Sequence, residues 1–136
     1  MVITYFEIGR RIIEKEQQGA KRAKYGKKII QGLSDYLTKH LGKGYSIENL
    51  KLMRRFYVVY STVTPIGESV ITQFNPHITW THYILLMRID NLEERSFYEI
   101  EITNNAWSFR EFQRQYDSSL YERLALSLPF FIFSSG

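Results

Sequence analysis

Three histidines are the first candidates for chemistry: His40, His77 and His82. His77 and His82 stand five apart, a spacing that suits ligation from neither a strand nor a helix, and His40 is distant. With no cysteine in the chain and no His-x3-His pair, thiolate zinc, iron–sulfur chemistry and a cysteine nucleophile drop out, and no metal site or cofactor is expected. His82 reads as a packing or hydrogen-bonding residue beside Trp80. Among the carboxylates, Glu93 and Glu94 are adjacent and Glu99 and Glu101 flank Ile100. Residues one or two apart on a helix point to different faces, so these read as solvated surface. A metal-dependent nuclease needs an acidic residue and a lysine separated by one residue, and no Asp/Glu-x-Lys triplet occurs; Glu93-Glu94-Arg95 comes nearest. No Gly-x4-Gly-Lys phosphate loop and no nucleophile elbow is present. The catalytic inventory is empty.

What remains is charge. Residues 1–64 hold thirteen Lys/Arg against five Asp/Glu, a net of +8, whereas residues 65–136 hold five against nine, a net of −4. A basic first half suggests an anionic partner for one face. The cations concentrate in two places. One is Lys21, Arg22, Lys24, Lys27 and Lys28, five basic residues in eight with Tyr25 among them. The other is a helix opening at Ser46, where Lys51, Arg54 and Arg55 share a narrow polar arc and Asn49 lies near them. The first cluster suits phosphate contacts, while Asn49, Lys51, Arg54 and Arg55 suit base edges, since Arg pairs with guanine and Asn with adenine.

The elements that position these residues read as all-α. Helical spacing covers residues 3–18, with Glu14 to Gln18 at a wet end and Gly19 as a stop. The apolar stripe Ile29, Ile30, Leu33, Tyr36, Leu37, Leu41 predicts a second helix, with residues 21–28 as a link before it. Gly42-Lys43-Gly44 makes a tight turn into the third helix, whose Ser46 caps the first amides. A helix, a glycine turn and a basic capped helix give the outline of a helix-turn-helix. Periodicity lapses over 61–78, where residues 70–74 are expected to form a tiny β element or an ordered loop. It returns at Trp80–Ile89 and again after a cap at Asp90 or Asn91. A last helix is expected to open on a reciprocal capping box, Ser108 with Glu111, and to run unbroken through Tyr116, Leu120 and Leu126. The stretch from Leu128 to Gly136 is apolar and chargeless and reads as an atypical tail beyond a domain of residues 1–127, a scar more than a docked segment.

The chain's 136 residues, 44% of them hydrophobic and 15% aromatic, suffice for a buried core and argue against disorder. No apolar run approaches the roughly 18 residues a membrane span needs, and Met1-Val2-Ile3-Thr4-Tyr5 lacks the pattern of a secretory signal. A cytoplasmic protein with no membrane partner is expected.

Several strings in one order are familiar: YFEIGRR, KYGKKII, YSIENLKLMRRFY, TWTHYILLMRID, NNAWSFREF and YERLA. Together they resemble the N-terminal domain of YhcG-like proteins, bacterial members of the restriction-endonuclease-like PD-(D/E)XK nuclease superfamily. The resemblance covers residues 4–127. It implies a helix-turn-helix or winged-helix-like domain that binds DNA without catalysis and precedes a separate nuclease domain. Relatives begin with further helix and continue into the nuclease domain. Against that pattern, the chain is expected to be a fragment, a split gene or a degraded copy without nuclease activity. The alternative is an interaction module, contacting a nuclease domain on another chain or a homodimer partner through Tyr83, Phe97, Tyr98 and Trp107 of its acidic half.

Overall fold

The computed structural model describes residues 2–19, 23–61 and 74–135. Among the described residues the chain is all-α, with seven helices and no strand: α1 Val2–Gly19, α2 Ala23–Leu41, α3 Ile47–Ser61, α4 Trp80–Leu86, α5 Leu92–Asn105, α6 Phe109–Asp117 and α7 Leu120–Ser135. They gather into two compact units, residues 1–74 and 75–136.

In the first unit α1 and α3 form the core. Phe6 and Ile12 of α1 and Leu50, Met53, Phe56 and Tyr60 of α3 are buried. Their rings make a cluster, with Phe6 5.8 Å from Phe56 and Phe74 5.3 Å from Phe6, in edge and tilted arrangements that suit ring quadrupoles. α2 attaches through Ile30 and Ser34, both buried. The Ser34 hydroxyl donates to the Tyr45 carbonyl at 2.7 Å and ties α2 to the segment leading into α3.

The second helix starts at Ala23, six residues before the apolar stripe that announced it. Ala and Lys are good helix formers and extend the helix past its buried face, so Lys24, Lys27 and Lys28 stand on a helix where a link was expected. The glycine turn is as read: Gly42 and Gly44 have φ of 89° and 107°, in the left-handed region open to glycine. Ser46 accepts from the Asn49 amide at 3.2 Å, the expected cap. Of the stretch expected as strand or loop, residues 70–73 lie outside the described residues, and Phe74 is non-helical.

The second unit packs Tyr83, Leu86, Met87, Tyr98, Ile102 and Phe112 into its core. Asn91, not Asp90, caps α5, accepting from the Glu94 amide at 3.0 Å. At its other end Ala106 takes a φ of 51° and its amide bonds the Ile102 carbonyl. Buried Arg95 donates through Nε to the Ile89 carbonyl at 3.2 Å, holding the α4–α5 connection.

Two expectations are corrected here. The unbroken last helix is two helices, because Ser118 closes α6 and Ser119 adopts φ 60°. Arg123 then fastens the break, its Nε donating to the Ser118 carbonyl at 2.9 Å. Serine's hydroxyl competes for nearby backbone groups, which makes it a natural point of interruption. The capping box at Ser108 is only half formed: Ser108 accepts from the Glu111 amide at 3.2 Å. The Glu111 carboxylate turns outward to Arg114 and Gln115, which hold it below the usual carboxylate range. The backbone of α7 stays helical from Leu120 to Ser135, through the stretch read as a tail.

Candidate nucleic-acid interface

The first unit concentrates the positive charge, thirteen Lys/Arg against six Asp/Glu, while the second carries five against eight. Lys27 and Lys28 lie exposed near the start of α2. Lys51 and Arg55 lie exposed on α3, four residues apart and therefore on one face. Lys24 is on α2, and Lys21 and Arg22 lie outside the described residues. The same exposed side of α2 also carries Asp35, which accepts from the Gln31 amide at 3.0 Å.

Two residues expected at base edges have internal partners. Asn49 donates from Nδ2 to the Gly44 carbonyl at 2.7 Å, locking the turn that its own amide caps. Arg54 is half-buried and meets Glu16 of α1. Its Nε donates to both carboxylate oxygens at 2.9 and 3.0 Å, and its Nη2 donates to one at 2.8 Å. This hydrogen bonding raises the Arg54 pKa beyond its ordinary value, with burial opposing. Glu16 was missed in the sequence, where it stood at the wet end of α1. The signal was present: Glu16 follows Gly9 by seven positions and Ile12 by four, on the stripe that α1 buries.

His82 is the packing and hydrogen-bonding residue expected. Its Nδ1 accepts from the Thr79 amide at 3.1 Å and lies 2.7 Å from the Thr79 hydroxyl. With Nδ1 an acceptor, Nε2 carries the proton and donates to the Trp107 carbonyl at 2.9 Å. The ring stacks on Phe112 with centroids 6.1 Å apart. Both nitrogens are thus committed inside the unit. Among the described residues no group of three or more His, Asp or Glu is placed to hold a metal ion, and no helix is long and apolar enough to cross a membrane.

The carboxylates are not uniformly solvated. Glu94 of α5 hydrogen-bonds the Glu122 side chain of α7, and burial first, then Glu122, pushes its pKa above the ordinary range. Tyr98 takes the Tyr121 amide on its hydroxyl at 3.2 Å, and burial raises its pKa. Tyr83, also raised by burial and then by Glu99, accepts a hydrogen bond from the Asn75 backbone.

A helical unit with a glycine turn, a capped helix and a basic exposure fits the sequence strings that resemble one family, and the comparison with known families agrees. The model of the DUF1016 N-terminal domain matches residues 1–123, and the chain belongs to that family. Among curated proteins it is similar to "Putative nuclease YhcG" of Escherichia coli (strain K12), 36% identical over 151 aligned positions that cover 93% of this chain. The chain spans 40% of that relative's length. No solved structure matches it.

Proposed function

We propose that this chain is a non-catalytic DNA-binding domain of the kind that precedes a nuclease domain, acting in the bacterial cytoplasm. The observation that carries the reading is the exposure of Lys27, Lys28, Lys51 and Arg55 on the two helices that flank the Gly42–Ser46 turn. In this reading α2, the turn and α3 work as a helix-turn-helix-like unit. The cations on α2 neutralise phosphates, and those on α3 approach the groove. Asn49 contributes by fixing the turn. The relative's printed name, a putative nuclease, supports a setting in which nucleic acid is handled.

All eight lysines lie within residues 1–51, which makes lysine footprinting a direct test. Acetylation of the free protein and of its complex with a duplex, read by mass spectrometry, should show protection at Lys27, Lys28 and Lys51. Equal labelling of these three with and without DNA would refute the reading.

A second reading, an interaction module for a nuclease domain on another chain or a homodimer partner, is favoured by apolar exposure in the second unit. Leu126 is 83% exposed, with Leu92, Ile100 and Leu124 also exposed. The surface is not the one expected from sequence, because Tyr83 and Tyr98 are buried in the unit's own core and Phe97 and Trp107 are half-buried. Mixing with the nuclease region of a longer relative, or sedimentation of the chain alone, separates the two.

A further inference from the structure

Arg54 spends only one edge of its guanidinium on Glu16. The group carries five N–H donors. The Glu16 carboxylate engages the Nε proton and one on Nη2, leaving two on Nη1 and one on Nη2, of which one from each nitrogen makes a second fork at the end of the group. Among the described residues nothing accepts from that fork. The Arg54 side chain is 41% exposed against 20% for Glu16, so the carboxylate is the more sheltered partner. Arg54 also stands one helical turn from Lys51 and next to Arg55, both exposed on α3.

We propose that Arg54 is an acceptor-reading residue of the interface and that Glu16 is its positioning residue. Glu16 clamps the inner edge so that the outer fork is held ready for a planar pair of acceptors. The O6 and N7 of a guanine, or two oxygens of one phosphate, supply that pair. The inference rests on the DNA-binding reading above. Its physical basis is preorganisation: an arginine already fixed by a carboxylate loses less rotamer freedom when it binds. The clamp also offsets the arginine's charge, which shifts its role from attracting any phosphate toward meeting a fork of the right geometry.

The test is duplex binding by fluorescence anisotropy, using guanine-containing duplexes and the same duplexes with 7-deazaguanine, which lacks N7. Wild type is compared with Arg54→Ala, Arg54→Lys, Glu16→Gln, Glu16→Gln/Arg54→Ala and the reference Lys27→Ala/Lys28→Ala. Arg54→Ala should weaken binding about tenfold. Arg54→Lys keeps the charge but not the fork and should lose nearly as much. Glu16→Gln should weaken binding several-fold in wild type and not at all in the Arg54→Ala background. If guanine is the partner, 7-deazaguanine weakens wild type but not the Arg54 variants. If phosphate is the partner, both duplexes weaken alike and the salt slope falls by about one.

A pair that only pins α1 to α3 would lower the melting temperature of both variants and leave affinity unmoved, which would overturn the proposal. Tighter binding by Glu16→Gln would overturn it as well, since Glu16 would then be a competitor of the DNA. Wild-type binding that Lys27→Ala/Lys28→Ala weakens and Arg54→Ala does not would sink this inference alone. No wild-type binding by a folded protein at low salt would instead sink the reading beneath it.

Discussion

Gly9 of α1 lies so close to Met53 of α3 that a Cβ on Gly9 would stand 2.1 Å from the Met53 carbonyl oxygen. The obstacle is backbone, which cannot swing aside as a side chain can. The absence of one methyl group therefore sets how closely the two core helices of the first unit approach. It also keeps Glu16, two turns further along α1, within reach of Arg54.

Gly9→Ala should destabilise the protein by about 3 kcal/mol, the upper end of what overpacking costs. Gly32 of α2 is the internal control, because a Cβ there meets nothing within 4 Å. Gly32→Ala should stabilise by about 0.5–1 kcal/mol, through helix propensity and the entropy of the unfolded chain. Urea midpoints for the two variants should move in opposite directions. Equal shifts would show that the α1–α3 approach is looser than described.

His82 links the turn before α4 to the start of α6, accepting from Thr79 and donating to the Trp107 carbonyl. Replacing it with Phe retains a ring to stack on Phe112 but strips two part-buried backbone groups of their partner. The expected loss is about 1–2 kcal/mol. A loss no larger than a few tenths in thermal denaturation would mean that these bonds are replaced by water.

Tyr98 is wholly buried, and its hydroxyl takes the Tyr121 amide from the first turn of α7. Tyr98→Phe preserves the ring contacts with Phe112 and Tyr116 and removes that acceptor. Stability should fall by about 1 kcal/mol. Hydrogen exchange should quicken at the Tyr121 amide more than in α5, and uniform quickening would contradict the assignment.

Much of this was legible because it is local. Ser46, Gly42 and Gly44 act within a few residues of themselves, and their types alone define a cap and a left-handed turn. The Thr79–His82 capping box is just as local but escaped notice, because histidine stands where the usual pattern has Glu or Gln. The break at Ser118–Ser119 was hidden by a hydrophobic spacing that continues across it from Tyr116 to Leu120. The Glu16–Arg54 pair joins residues 38 positions apart. No periodicity relates them; only the packing of α1 on α3 brings them together.

Glu94 binds its proton more tightly in the fold than in the open chain, since burial and Glu122 raise its pKa above the ordinary 4.5. The folded state is therefore favoured while Glu94 is protonated, and it loses that advantage as pH rises through and above the carboxylate range. Glu94→Gln imitates the protonated form. It should match wild type at about pH 4 and be the more stable of the two at about pH 7, as read from melting temperatures at the two pH values. A constant difference across that range would mean that neither burial nor Glu122 shifts the Glu94 proton.

The basic exposure of α2 and α3 is tested most directly by the salt dependence of duplex affinity, over about 50 to 300 mM, for wild type and Lys27→Ala/Lys28→Ala/Lys51→Ala. Each phosphate contact contributes about 0.9 to the slope of log affinity against log salt. If Lys27 and Lys28 hold phosphates and Lys51 enters the groove, the wild type is steep and the triple variant is flatter by about two. An unchanged slope in a folded triple variant, or no wild-type binding at the lowest salt, would contradict a DNA-binding role for this face.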